Sequence, residues 1–231
     1  QVAGFVLFWV GLAATRLTPY RYTPKAIATR FELVTVGLFA ITFTMNIALN
    51  NFSLSLISIS VNLIIRSCLP LTTFLSQQLS AWVTRQPVRD ANPVELGLML
   101  VGMTCAAVAL LVKMHAGGNG SAESSNFILG VAACTVSLLS ASVNLALAGV
   151  LGATVKLNSL DTTVYNAIPA ALLLVVPIFA CAHPVNWPGH GPMTDWEIFR
   201  VVLARSPRTV ALAALSGPVS LAYNTLLYGI V

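Results

Sequence analysis

The stretch ISISVNLIIRSCLPLTTFLSQQ, residues 57–78, decides how this chain is read, because it sets one arginine, Arg66, in an otherwise uncharged apolar run. On a continuous helix at about 100° per residue, Ser55, Ser58, Asn62, Arg66, Thr73 and Gln77 fall on one side, with Leu, Ile, Val and Phe around them. An arginine at the centre of a bilayer costs about 2.5–3.5 kcal/mol on insertion scales. Arg66 is therefore expected to face a water-filled cavity or a protein interior. It lies more than ten residues from either end of the 54–83 stretch, too far to snorkel to the surface. No acidic residue lies within a span to neutralise it: Glu32 and Glu95 stand at helix starts, and Asp161 opens another helix, where it is expected to cap the N-terminus. Two readings stay open. Arg66 pairs with Asn62 or with a carbonyl of a neighbouring helix, or its forked donors wait for a carboxylate or phosphate.

The composition places that stretch in a membrane. The 231 residues are 57% hydrophobic and 8% charged, with a mean hydropathy of +0.84. A soluble domain needs about 25% charged residues to wet its surface. Apolar segments of roughly 20 residues call for helices, and the alternation of a barrel is absent. The expected fold is all-α, a polytopic transmembrane helix bundle over residues 1–231 as a single domain. Its spans are expected at about 31–50, 54–83, 94–114, 126–151, 160–182 and 209–231, following a stub at 2–15, about seven in all. The uncharged corner NNFS, residues 50–53, is expected to turn the chain back. The chain opens at Gln1 with a segment too short to span and closes at Val231 without a polar tail, so it is read as truncated at both ends.

Charge orients the spans. Arg16, Arg21, Lys25, Arg30, Arg85, Arg89 and Lys156 fall on one side, which becomes the cytosolic one. Only Lys113 and three arginines of the long 183–208 segment oppose them, and charge in a long segment counts less. The net charge of +5 is thus spread between spans, and no nucleic acid is expected as partner. Within 183–208, MTDWEIFRVVLARS is expected to form a helix lying at the interface. The NGS sequon at 119–121 falls on the lumenal side, close to the membrane. His115, His183 and His190 are loop residues without ligand spacing, and the four cysteines lie in apolar stretches without a metal pattern. No metal or cofactor is expected. No acid–base pair or activated nucleophile stands out, so the chain is not read as an enzyme.

Other segments carry polar groups at helical spacing. They include Thr42, Asn46 and Asn50, then Ser137, Ser140 and Asn144, then Tyr165 and Asn166 before Pro169, and Tyr223 with Asn224. Each set alone is expected to tie helices together. Taken together they suggest a central pathway, around which Pro70, Pro169, Pro177, Gly217 and Pro218 would break or bend the helices.

Two segments resemble a known family. NNFSLSLISISVNLIIRSCLPLTTFL, through Asn51, Ser53, Leu54, Ser58, Ser60, Arg66 and Pro70, is similar to a segment of the triose-phosphate and nucleotide-sugar transporters. KLNSLDTTVYNAIPA resembles a later segment through Leu157, Asn158, Leu160, Tyr165 and Pro169. The resemblance implies the drug/metabolite transporter fold, a ten-helix inverted repeat, of which this chain would hold the second through eighth helices. The orientation it implies agrees with the charge count. It also implies that Arg66 binds substrate phosphate and that Tyr165 and Asn166 lie near a sugar or base. The chain departs from the plastid members at Leu63 and Leu69, where they carry His and Glu, and at Asn144, where an arginine is common. Golgi or ER membranes therefore suit it better than plastids.

The function expected is a secondary-active antiporter of organic phosphates such as nucleotide-sugars or sugar phosphates, working by alternating access. Arg66 is its anion anchor, with Asn62, Thr73, Gln77, Asn144, Tyr165 and Asn166 as substrate-binding residues. Its expected partners are a small anionic substrate and the lipid bilayer, and a homodimer is compatible with such a chain. The alternative is a non-transporting receptor or regulator on the same fold.

Overall fold

The computed structural model describes residues 10–15, 17, 22–85, 92–116, 121–182 and 191–230. Arg16, Arg21, Arg89, His183, His190, residues 119 and 120 of the sequon, and the side chain of His115 lie outside what is described. Among the described residues the protein is 87% helical and has no strand. Its helices are α1 (Arg30–Leu56), α2 (Ile59–Arg66), α3 (Leu69–Thr84), α4 (Pro93–Ala116), α5 (Ser121–Val150), α6 (Ser159–Ala180), α7 (Asp195–Arg205) and α8 (Pro207–Ile230), and residues 10–15 are also helical. A π-helical turn, Leu151–Val155, extends α5. Five helical stretches are long and apolar enough to cross a membrane, with α2 and α3 counted as one, and α4 is apolar over the shorter Pro93–Ala109.

The corner expected at NNFS lies further on. Helix α1 runs through Asn50, Asn51, Phe52 and Ser53 to Leu56, and the chain breaks at Ile57 and Ser58 instead. Ser58, in extended conformation, is the N-cap of α2. Asn46, Asn50 and Ser53 are tolerated inside α1 because their side chains find partners on neighbouring helices. The 54–83 stretch is broken at Pro70, as expected, and beyond Leu56 it is two helices. Pro70 has no N–H to give the Arg66 carbonyl, so α2 stops at Arg66 and α3 restarts at Leu69 with the proline in its first turn.

The chain forms two compact units, Met45–Leu147 and the remainder, Gln1–Thr44 with Ala148–Val231. The first has its core between α2 and α5. Val61 and Ile65, on one face of α2, and Ile57 of the break before it meet Cys134 and Leu138, and Phe127 and Val131 extend the contact. Gly130 is the closest approach: a Cβ there would lie 2.6 Å from the Ile57 Cγ2. In the other unit α6 packs on α8. Thr163 and Thr225 hydroxyls meet at 3.2 Å, and the fully buried Phe39 of α1 tilts against the Tyr228 ring at 5.5 Å.

Candidate functional site

In the Met45–Leu147 unit, the C-terminal half of α1 and the whole of α2 form an antiparallel polar seam against α5. Two rungs share one register. Arg66 donates from Nη2 to Asn46 Oδ1 at 2.8 Å, and Asn62, four residues earlier, donates to Asn50 Oδ1 at 3.0 Å. Ser137 of α5 closes the first rung, donating to Asn46 Oδ1 at 3.0 Å and to its backbone carbonyl at 2.9 Å. Cys134 and Ser53 close the second, with the Asn62 amide 3.3 Å from the Cys134 sulfur. The seam forms because Asn46, Asn50 and Ser53 share one face of α1, Asn62 and Arg66 one face of α2, and Cys134 and Ser137 one face of α5.

Arg66 is half-buried, and among the described residues no carboxylate pairs with it. Its one hydrogen bond among the described residues uses a single donor of the five on a guanidinium. Its position at the last residue of α2 also helps, because the partial negative charge at a helix C-terminus favours a cation. The partner is the side-chain carbonyl of Asn46 on the neighbouring α1, one of the two protein pairings expected, and not Asn62. Asn62 itself is buried with its amide nitrogen committed to the second rung.

Beyond the break, α3 carries Thr73 and Gln77 one turn apart. The Thr73 hydroxyl is buried without a hydrogen-bond partner among the described residues, and Gln77 is half-buried. The neighbouring Thr72 hydroxyl meets Ser142 of α5 at 2.6 Å. Asn144 is buried on α5, as are Ser137 and Ser140. The stripe drawn on one continuous helix is therefore divided: Ser55 on α1, Ser58 at the turn, Asn62 and Arg66 on α2, Thr73 and Gln77 on α3.

Tyr165 and Asn166 fall in the other unit, on α6. The Tyr165 hydroxyl donates to the Lys25 carbonyl. Asn166, 1% exposed, donates to the Tyr228 hydroxyl at 2.5 Å, and its Oδ1 has no hydrogen-bond partner among the described residues. Tyr223, which repeats the Tyr–Asn pair in the sequence, is exposed instead.

The same unit contains a buried acid whose role differs from the expected one. Asn158, not Asp161, is the N-cap of α6, its side chain accepting from the Asp161 N–H at 2.8 Å. Asp161 sits one turn in and turns its carboxylate to an extended strap, residues 22–28. There it accepts from the Tyr22 hydroxyl and, at 3.2 Å, from the Lys25 N–H. The Lys25 ammonium donates to the Val155 carbonyl, at the end of the π-helical turn. Burial and the Asp161 carboxylate, which holds the phenolic proton, push the Tyr22 hydroxyl up to about 12. The N-x-x-D spacing of Asn158 and Asp161 is a capping signature that could have located this cluster.

Fold and site together define an all-helical chain compatible with an integral membrane protein, holding a cation with neutral protein partners in one span. No protein-family model matches the chain, and no curated protein or solved structure matches it.

Proposed function

We propose that the protein is a secondary-active carrier of organic phosphates, of the kind the triose-phosphate and nucleotide-sugar transporters represent, working in an endomembrane such as the Golgi or ER. One observation carries this reading. Arg66 lies half-buried in a membrane-length stretch, tied only to the neutral Asn46 among the described residues. A guanidinium so placed has donors left for phosphate oxygens, which its planar fork matches two at a time. The unpartnered Thr73 hydroxyl across the break in the same span is a further polar group a substrate could engage. Broken helices that put backbone ends and a charge at membrane depth suit a substrate site. Differential affinity of the substrate for inward- and outward-open states would drive alternating access, with no covalent step.

Exchange of labelled nucleotide-sugars and sugar phosphates in proteoliposomes tests the proposal. Arg66→Ala is expected to cut exchange of anionic substrates by about 100-fold, the loss of charge-assisted hydrogen bonds worth roughly 1.5–3 kcal/mol. Arg66→Lys keeps the charge without the fork and is expected to fall between. A second reading has support in the same hydrogen bonds: Asn46 accepts from both Arg66 and Ser137, which makes Arg66 a tie between α1, α2 and α5. That reading wins if Arg66→Ala exchanges normally but melts earlier.

A further inference from the structure

Helix α7 is too short to cross a membrane, yet both its neighbours are membrane-length. Thr194 starts it through a capping box with Glu197, whose carboxylate accepts from the Thr194 N–H at 2.8 Å. A single residue, Ser206, joins it to α8. Ile198, Val201 and Val202 are half-buried on the side where α7 contacts α6 and α8. The other side is apolar as well. Trp196, Phe199 and Leu203 are 40%, 40% and 44% exposed. Trp196 stacks on Phe199 at 5.4 Å and meets Phe179, in the last turn of α6, at 5.2 Å.

This aromatic row has an identifiable neighbour. On α6 the exposed Leu172 and Val176 lead up one face to Phe179, and on α8 exposed Leu212, Leu215 and Val219 share one face. These are faces that a membrane-length helix gives to lipid. The exposed side of α7 continues that apolar surface at the point where the spans end, which is where amphipathic aromatic side chains collect. Arg200, one turn from Trp196, and Arg205 and Arg208, at the junction of α7 and α8, are exposed, and the acidic residues of α7 are confined to its first turn.

We propose that α7 is a lipid-binding foot that recognises anionic phospholipid. Phe179, Trp196, Phe199 and Leu203 seat at the boundary between headgroups and acyl chains. The three arginines bind headgroup phosphates and favour a lipid with a net negative charge, each basic residue near such a surface adding attraction. This rests on the apolar spans and not on the role of Arg66.

The test uses the full chain in vesicles, with Trp9, Trp82 and Trp187 changed to Phe so that Trp196 is the sole tryptophan. Vesicles of phosphatidylcholine mixed with phosphatidylglycerol carry bromine on one lipid at a time, at shallow or deep acyl positions. The expected result is stronger quenching by shallow than by deep bromines. Brominated phosphatidylglycerol is expected to quench at several-fold lower mole fraction than brominated phosphatidylcholine. In the combined Arg200→Gln, Arg205→Gln, Arg208→Gln variant that preference should disappear while shallow quenching persists. Equal quenching by the two lipids in the unmodified arginine background overturns the anionic-headgroup proposal. Quenching by aqueous iodide without quenching by either lipid overturns the foot. So does shielding from both together with Leu203→Cys disulfides between copies, which would give the face to a second chain.

Discussion

Each of the two units holds one ion away from bulk solvent, and they treat it differently. Asp161 is 4% exposed and is served by its own chain: Tyr22 and the Lys25 N–H donate to its carboxylate, and it sits in the first turn of α6, where the helix dipole favours a negative charge. Arg66 is only half-buried, yet among the described residues it has one neutral acceptor, Asn46. A buried charge that takes its hydrogen bonds from its own fold is a structural element. A charge left with unused donors at membrane depth is costly unless something else arrives to use them, which is why Arg66 and not Asp161 marks the candidate site.

The comparison is most easily broken at Asp161. Asp161→Ala leaves the Lys25 N–H without its acceptor and the Tyr22 hydroxyl with only Asn158 Oδ1, 3.1 Å away, and so loosens the strap. The expected loss is about 3 kcal/mol, read as an earlier thermal unfolding transition in detergent. An unchanged transition would mean that the strap does not contribute to the stability of its unit. Gly130 gives the next effect, in the unit that holds Arg66. A leucine there meets Ile57 Cγ2 and the Leu56 Cβ, 2.6 Å and 3.0 Å from where its own Cβ would sit. Overpacking of this kind costs about 1–3 kcal/mol. Gly130 is also one turn from Cys134, so Gly130→Leu should push α5 off the Asn62 rung and lower exchange together with stability. Normal stability in that variant would show that the close approach is dispensable.

Helix content and membrane length were legible from hydropathy alone, because burial in lipid demands long uninterrupted apolar runs. The turns were less so. NNFS reads as a corner, yet Asn50 and Ser53 stay helical because Asn62 bonds them from the next helix, a tertiary partner invisible to local pattern. Pro70 was legible as a breaker but not for its consequence, the division of the polar stripe at Arg66. Polar spacing also overstates a pathway, since Ser140 donates to the Val136 carbonyl and Thr42 to the Leu38 carbonyl, each of its own helix. The Tyr22–Asp161 contact joins residues 139 apart in sequence, and nothing near Tyr22 announces it.

A smaller effect sharpens the acidic side of the comparison. Tyr22→Phe removes one donor from Asp161 while Lys25 N–H remains, for an expected cost of about 1 kcal/mol. Its pH dependence has a definite sign. The Tyr22 hydroxyl titrates at about 12 in the fold, above its ordinary 10.0, so its contribution is complete below 10.0 and disappears as pH rises through 12. The difference in thermal stability between the unmodified protein and Tyr22→Phe should be level up to pH 10.0 and shrink above it. A difference that grows with pH would place Tyr22 outside the cluster.

The smallest expected change in stability is at Arg66 itself, and it decides the comparison. Arg66→Met keeps an unbranched chain of similar length and removes the charge. Asn46 Oδ1 still accepts from Ser137 at 3.0 Å, so the exchange strands no buried partner. Replacing a desolvated ion by a hydrophobe that fills its space is often neutral or stabilising. The unfolding transition should therefore stay within about 1 kcal/mol of the unmodified protein, while exchange of organic phosphates is lost. Should Arg66→Met instead unfold as readily as Asp161→Ala, both ions are structural, and the guanidinium is a tie between helices rather than a seat for an anion.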